Sequence, residues 1–289
     1  MTPLSIPNQR RQETRAFLSM AFGAVIFPAI DSIAKYLGQD IPILQILLAR
    51  YFFQAALLLP IVLLASRKSA WKNLDLRTNV AQAVALMAAA GFYYSSLRYL
   101  SLAAASILSF MSPLIVIILA RFVLKENATG RQWCAVAAGV IGACFILQPT
   151  GNTGSIVGSI LALCSAAANA IYLILIRRSR LRSSPLINAV MSGGIISLFL
   201  SMAMPVVWQI PTQIEWILLV AIGFAGAIAQ SCVIFAYQNG VATKLAPLAF
   251  IELLGAIILS IVVFGDLPTG RQLIGASIIL SGVVLTITR

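Results

Sequence analysis

The chain has 289 residues, 60% hydrophobic and only 10% charged, against about a quarter charged in a soluble domain. It carries 20 Lys and Arg against 8 Asp and Glu and no histidine, for a net charge of +12. That composition excludes a soluble globular enzyme, and its 4 cysteines, with no CxxC pair, indicate neither a zinc site nor a disulfide framework.

Residues 1–15 form a short tail with Arg10, Arg11 and Arg15. The apolar run over 16–37 is as long as a membrane crossing and lacks a small-residue cleavage site, so it reads as a retained span and not a signal peptide. Similar runs follow at 43–65, 78–98, 101–123, 129–147, 154–176, 185–208, 215–237, 241–264 and 269–287. Gly38 and Pro42, Pro149 with Gly151, Pro185, Pro211, and Pro268 with Gly270 mark the connections. The runs do not alternate in short segments, which excludes a β-barrel. Cys134, Cys144, Cys164 and Cys232 fall within spans and read as small packing residues. The expected fold is an all-α membrane protein of ten transmembrane helices.

Two stretches of that chain are copies. Thr-Gly-Arg-Gln occurs at Thr129–Gln132 and again at Thr269–Gln272, an offset of 140 residues. The same offset pairs Leu108 with Leu248, Phe110 with Phe250, Leu114 with Leu254 and Gly142 with Gly282. We read two halves of five spans, 16–147 and 154–287, joined by a linker at 148–153. Five is odd, so the second half enters the membrane from the opposite face and the repeat is inverted.

The basic residues fit this topology. Sixteen of the 20 Lys and Arg fall on the face that holds the N-terminus, which the positive-inside rule makes cytoplasmic, with both termini inside. This placement accounts for the charge without a nucleic-acid partner. The loop between spans four and five carries Arg121, Lys125 and Arg131, whereas its repeat mate carries Asp266 and Arg271. Trp71 and Trp133 at one edge and Trp208 and Trp216 at the other read as interfacial belts.

An inverted repeat makes one central site reachable from either face by turns, so a substrate cavity is expected near the midplane between the halves. Ionisable groups at membrane depth cost about 3 kcal/mol on insertion scales and mark candidates. Asp31 in span one and Arg50 in span two lie at similar depths, about 9 and 10 Å from the same face at 1.5 Å per residue. They suit an ion pair, either structural or an outer gate that touches a charged substrate. Lys35 and Arg98 sit near helix ends and are expected to snorkel. Glu252 lies about 12 Å into span nine, where it can bind a substrate amino group, carry a proton, or hydrogen-bond neighbouring helices. Its repeat mate is Ser112. Phe27, Tyr94, Asn169, Tyr172, Gln230, Tyr237 and Phe250 complete a candidate cavity of aromatic rings, hydroxyls and amides. Pro28 and Pro113 free backbone carbonyls and read as hinges. Gly154 and Gly158 offer close helix packing. The sequence contains no nucleotide-binding loop, catalytic triad or metal cluster, and no cofactor is expected.

Tyr94, Ser112–Pro113–Leu114, Lys125–Glu126, Thr129, Gln132 and Gly139, with Phe264–Gly265–Asp266 and Pro268–Thr269 in the second copy, resemble the drug/metabolite transporter superfamily in its EamA branch. Asp266 departs from the usual Glu of that turn, and Phe250–Ile251–Glu252–Leu253 stands where the family often has Pro. The resemblance implies a ten-helix, multi-pass protein of a bacterial inner membrane, and the presence of both halves in one chain implies that it works as a monomer. It also implies a central cavity lined mainly by spans one, three, four, six, eight and nine. It implies a secondary transporter that exports amino acids, aromatic and other neutral ones, or related small metabolites. The alternatives are an importer of a cofactor such as riboflavin or S-adenosylmethionine, and more remotely a membrane-embedded enzyme or scramblase.

Overall fold

The computed structural model describes residues 6–65, 75–123, 129–146, 153–179, 185–239 and 248–285. All regular structure among them is helical: α1 (Ile6–Leu37), α2 (Ile43–Ala65), α3 (Leu76–Ser96), α4 (Leu102–Ser109), α5 (Ser112–Val123), α6 (Gly130–Ile146), α7 (Thr153–Ser179), α8 (Pro185–Ser201), the single turn α9 (Met204–Val207), α10 (Gln213–Asn239), α11 (Ala249–Phe264) and α12 (Gly270–Leu285). Among the described residues, five spans, Thr14–Leu37, Ile43–Leu64, Leu102–Val123, Ile156–Ile176 and Gln213–Ala236, are long and apolar enough to cross a membrane. Leu186–Ser201 and Ile251–Phe264 are shorter apolar helices. Lys125 and the basic residues Arg67, Lys68, Lys72, Arg180, Arg182, Lys244 and Arg289 lie outside the described residues.

Local chemistry sets the breaks. The fourth apolar run divides into α4 and α5 just before Pro113, whose ring clashes with the carbonyl four residues back and which has no N–H to give. Pro28, the other expected hinge, is carried inside a continuous α1. The repeated Thr-Gly-Arg-Gln acquires a physical role here. Thr129 N–H donates to Gln132 Oε1 at 2.8 Å and Gln132 N–H to Thr129 Oγ1 at 3.4 Å. Thr269 and Gln272 repeat this at 2.9 and 3.3 Å. Each copy is a capping box that satisfies free N–H groups at the start of α6 or α12. Thr212 and Glu215 do the same at the start of α10. At the other end of α11, Gly265 adopts φ 67°, and the Gly265 and Asp266 N–H groups return to Ile261 O and Ser260 O. This left-handed stop favours glycine, which has no Cβ to clash.

α1 packs along α10 and α11, α3 along α7, α2 between α8 and α10, and α6 along α12; α7 also meets α4 and α5. Exchanging each span for its 140-residue counterpart turns the α1–α10 contact into α7–α3, and α1–α11 into α7–α4/α5. It leaves α2–α8 and α6–α12 unchanged as pairs. Glycines allow the closest of these approaches. A Cβ on Gly142 would lie 2.7 Å from Gly275 O, and one on Gly282 would lie 2.8 Å from Ala135 O. These two contacts are images of one another at the same offset. Gly223 brings α10 onto α2, and Gly255 brings α11 onto Pro28.

The main core cluster gathers Ile30, Leu37, Ile46, Leu47, Tyr51, Leu102, Tyr172, Ile196 and Ile222 around the middle of the bundle. Large apolar side chains also face outward, among them Phe122, Leu198, Val206 and Val262. Such a continuous apolar exterior suits hydrocarbon and not water. Cys134, Cys144 and Cys164 are on this exterior and Cys232 is half-buried, so at three of the four positions the small residue faces outward and does not pack against a neighbouring helix. Small, weakly polar side chains are tolerated on a lipid face as well as in a core.

Candidate functional site

Eight helices surround a cavity of about 220 Å³. α1 contributes Phe27 and Asp31, α2 Arg50 and Tyr51, α3 Tyr93, α4 Ser106 and Ser109, α5 Ser112 and Pro113, α7 Asn169 and Tyr172, α10 Gln230, and α11 Glu252. Its wall is therefore a mixture of rings, hydroxyls, two amides and aliphatic side chains, interrupted by one guanidinium and two carboxylates.

Arg50 is the most constrained of these. It is 5% exposed on a helix otherwise made of apolar and amide side chains. Its Nη1 donates to the Tyr94 hydroxyl. Its Cζ lies 5.9 Å from the Phe27 ring centroid, 5.5 Å from Tyr51 and 5.6 Å from Tyr94, within the reach of cation–π attraction. Gly226 on α10 leaves room beside it: a Cβ there would lie 3.5 Å from Arg50 Cγ and Nε. The Nε has no hydrogen-bond partner, nor do the Tyr51 hydroxyl and Ser109 Oγ. Buried polar atoms are nearly always paired, so three orphans around one cavity single it out.

Several of the other polar groups are fixed in pairs. Tyr93 and Ser106 share a hydrogen bond of 2.8 Å between their hydroxyls. Asn169 Nδ2 donates to Ser112 Oγ at 3.1 Å, and Gln230 Nε2 to the Tyr172 hydroxyl at 2.8 Å. Ser165 Oγ donates to Ala89 O at 2.8 Å, tying α7 to α3. The cavity is thus built on helices with its side chains already oriented.

The expected residues divide as follows. Phe27, Asp31, Arg50, Ser112, Pro113, Asn169, Tyr172, Gln230 and Glu252 meet at the cavity. Tyr94 is not in its wall: the next residue back, Tyr93, lines it, and Tyr94 stands behind and holds Arg50. Pro28 faces Gly255 instead. The side chains of Tyr237 and Phe250 fall outside the described residues. Tyr51, Tyr93, Ser106 and Ser109 were missed, although Tyr51 adjoins the buried Arg50 in sequence. Span two, absent from the expected lining, supplies the cation.

The expected Asp31–Arg50 ion pair is not formed. α1 and α2 follow one another in sequence, but α1 packs on α10 and α11 and α2 on α8 and α10. Arg50 turns to its tyrosines. An ion pair does form between Lys35 Nζ and Asp266 Oδ2 at 2.8 Å, with Lys35 also 4.4 Å from the Phe264 ring centroid. Lys35, expected to snorkel, therefore ties the end of α1 to the α11–α12 turn. Asp266 is 42% exposed, and such pairs contribute little. Lys35→Gln and Asp266→Asn should each lower stability by no more than about 1 kcal/mol, and the double variant by no more than either single, in thermal melts in detergent. A loss well above about 1 kcal/mol in either single variant would mark the pair as more than a surface tie. Among the described residues, no three His, Cys, Asp or Glu side chains cluster so as to hold a metal ion.

Comparison with known proteins adds independent findings. Residues 14–148 and 156–288 each match the model of the EamA-like transporter family. The S-adenosylmethionine uptake transporter of Rickettsia prowazekii is 26% identical over 258 residues, covering 89% of this chain and 87% of that one. The riboflavin transporter of Vibrio cholerae is 32% identical over 174 residues, 60% of this chain and 58% of its own. The pseudopaline exporter of Pseudomonas aeruginosa is 28% identical over 167 residues, 55% and 56% of the two chains. A solved crystal structure superposes with a TM-score of 0.71 over 94% of this chain and 96% of its own, at 17% identity, a likeness of fold alone.

Proposed function

The chain belongs to the EamA-like transporter family, and from that premise we propose that it takes up a small, charged metabolite by alternating access through the cavity around Arg50. It is a multi-pass membrane protein and a transporter, not an enzyme. In our reading its spans form two inverted halves, 16–147 and 154–287, in a bacterial inner membrane with both termini cytoplasmic. Since each chain holds both halves, it acts as a monomer. The mirrored contacts of Gly142 and Gly282 support this arrangement, as do the twin capping boxes.

The observation that carries the substrate reading is the cavity's mixture of aromatic walls with Arg50, Asp31 and Glu252. It suits a solute with an aromatic or apolar body and an amino acid head, and S-adenosylmethionine has both. The full-length similarity to an uptake transporter for that compound supports the same choice, whereas the riboflavin relative matches over little more than half its length. Export of neutral amino acids, the reading that the sequence alone favours, has one support here: Arg50 and Asp31 can also receive a plain zwitterion. None of the three relatives compared above is named for amino acid export.

Counterflow in proteoliposomes separates the readings. Preloaded S-adenosylmethionine should drive accumulation of labelled S-adenosylmethionine, and preloaded phenylalanine, threonine or riboflavin should not. Accumulation of labelled amino acid on an amino acid preload, with none of labelled S-adenosylmethionine, would reinstate the amino acid reading; no exchange of any of the four, each labelled in turn, would end both substrate readings.

A further inference from the structure

We infer that the cavity selects a ligand bearing an α-amino acid head and a second, separate positive charge: Arg50 receives the carboxylate, Asp31 the ammonium beside it, and Glu252 the distant cation. This rests on the transport reading above and narrows it from a charged metabolite to a charge pattern.

The argument begins with the sum of charges. Among the described residues that line the cavity, Arg50 is the one basic side chain and Asp31 and Glu252 the two acidic ones. With all three ionised the wall sums to −1. A ligand of net charge +1 with three charged groups supplies a counter-charge for each. A plain zwitterion leaves one carboxylate uncompensated, and a neutral ring system leaves all three. An uncompensated charge away from water is costly, so the difference is a selection against the wrong ligands.

Geometry then separates the roles. Arg50 is held by Tyr94 and by ring faces, with no carboxylate at ion-pair distance among the described residues and with its Nε unpartnered. It therefore retains donors for an incoming carboxylate, which a planar guanidinium can grip through two bonds. Phe27 bridges Arg50 and Asp31: its ring lies 5.9 Å from Arg50 Cζ, and Asp31 follows it by one helical turn on the same face of α1. An α-amino acid carries its carboxylate and ammonium on one carbon and needs such neighbouring partners. Gly255 of α11 rests on Pro28 and Asp266 meets Lys35, so α1 and α11 run parallel; Asp31 follows Pro28 by three residues and Glu252 precedes Gly255 by three, which offsets the two carboxylates by about 9 Å along the helices and lets Glu252 meet the far part of the ligand. A cation without N–H groups asks for no hydrogen-bond direction there. The tyrosine rings in the lining, Tyr93 and Tyr172 among them, favour either such a cation or an aromatic body.

The test compares two probes that differ by one charge. S-adenosylmethionine carries a sulfonium; its demethylated thioether, S-adenosylhomocysteine, is otherwise the same and lacks that charge. Both are titrated against uptake of labelled S-adenosylmethionine in proteoliposomes holding the full chain. The sulfonium compound should compete at a concentration lower by about tenfold or more. Glu252→Gln should bring the ratio to about one by weakening the sulfonium compound and not the thioether, a split that a merely structural glutamate would not produce. Equal competition by the two in the wild-type protein, with uptake intact, overturns the charge inference and leaves the transport reading standing. A ratio unchanged in Glu252→Gln overturns the assignment of the distant cation to that residue. If neither compound binds while another solute is carried, the substrate reading itself fails and this inference falls with it.

Discussion

Replacing Arg50 with glutamine should cut the initial rate of transport by about a hundredfold, with the protein still present in the membrane. The side chain is 5% exposed and is the one basic group among the described residues lining the cavity. Glutamine keeps a hydrogen-bond donor of similar reach but loses the charge, so a ligand carboxylate is desolvated with nothing to answer it. Arg50→Lys should fare little better, because a point charge on a flexible stem cannot make the planar grip or stack on Phe27, Tyr51 and Tyr94. The control is Tyr94→Phe, which removes the hydroxyl that accepts from Arg50 and leaves the ring. If Arg50 served only to tie α2 to α3, Tyr94→Phe would be as damaging as Arg50→Gln. We expect it to cost roughly tenfold less, as loss of one support and not of the charge itself. Uptake per molecule in the membrane, measured side by side, decides between them.

Gly142→Leu should destabilise the protein by about 3 kcal/mol and sharply reduce its yield. Even a Cβ at that position would lie 2.7 Å from Gly275 O and from Ile279 Cγ1, and 3.1 Å from Ile279 N. Two of those three atoms are backbone, so no rotamer change relieves the clash and α6 must move away from α12. Gly194, on α8, has nothing within 4 Å of the same construction. Gly194→Leu is the matched control and should melt at or above the wild-type temperature, since leucine also has the better helix propensity. Equal melting points for the two variants would mean that the α6–α12 contact does not hold the bundle together.

Much of the architecture is legible in the chain because bilayer thickness fixes helix length and proline and glycine punctuate it. The Thr-Gly-Arg-Gln repeat was legible as a duplication. Its job was also present in the letters, as a Thr followed three residues later by Gln before an apolar run, and needed only the capping rule. The site was half legible. Depth along a helix follows from counting residues, so Asp31, Arg50 and Glu252 are found at the cavity. Rotation about a helix does not follow from counting when the helix is apolar on every side. Tyr93 and Tyr94 differ by about 100° around α3, and periodicity had nothing to say about which one faces inward. Neighbours in space were not legible either. Asp31 and Arg50 lie on consecutive spans that turn to other partners, and Lys35 finds Asp266 from the far end of the sequence.

The α6–α12 contact, with Gly142 against Gly275 and Gly282 against Ala135, has a mechanical consequence. It is its own reflection: interchange the two halves and the same pair of helices meets through the same pair of notches. The α2–α8 contact shares the property. If the halves trade conformations, such seams look alike before and after and store no memory of which face is open. The α1–α11 seam and its counterpart around α7 are different contacts, and trading conformations must exchange one for the other. The molecule then resembles a balance, with two indifferent pivots and a pair of unequal arms whose weights change places at each stroke.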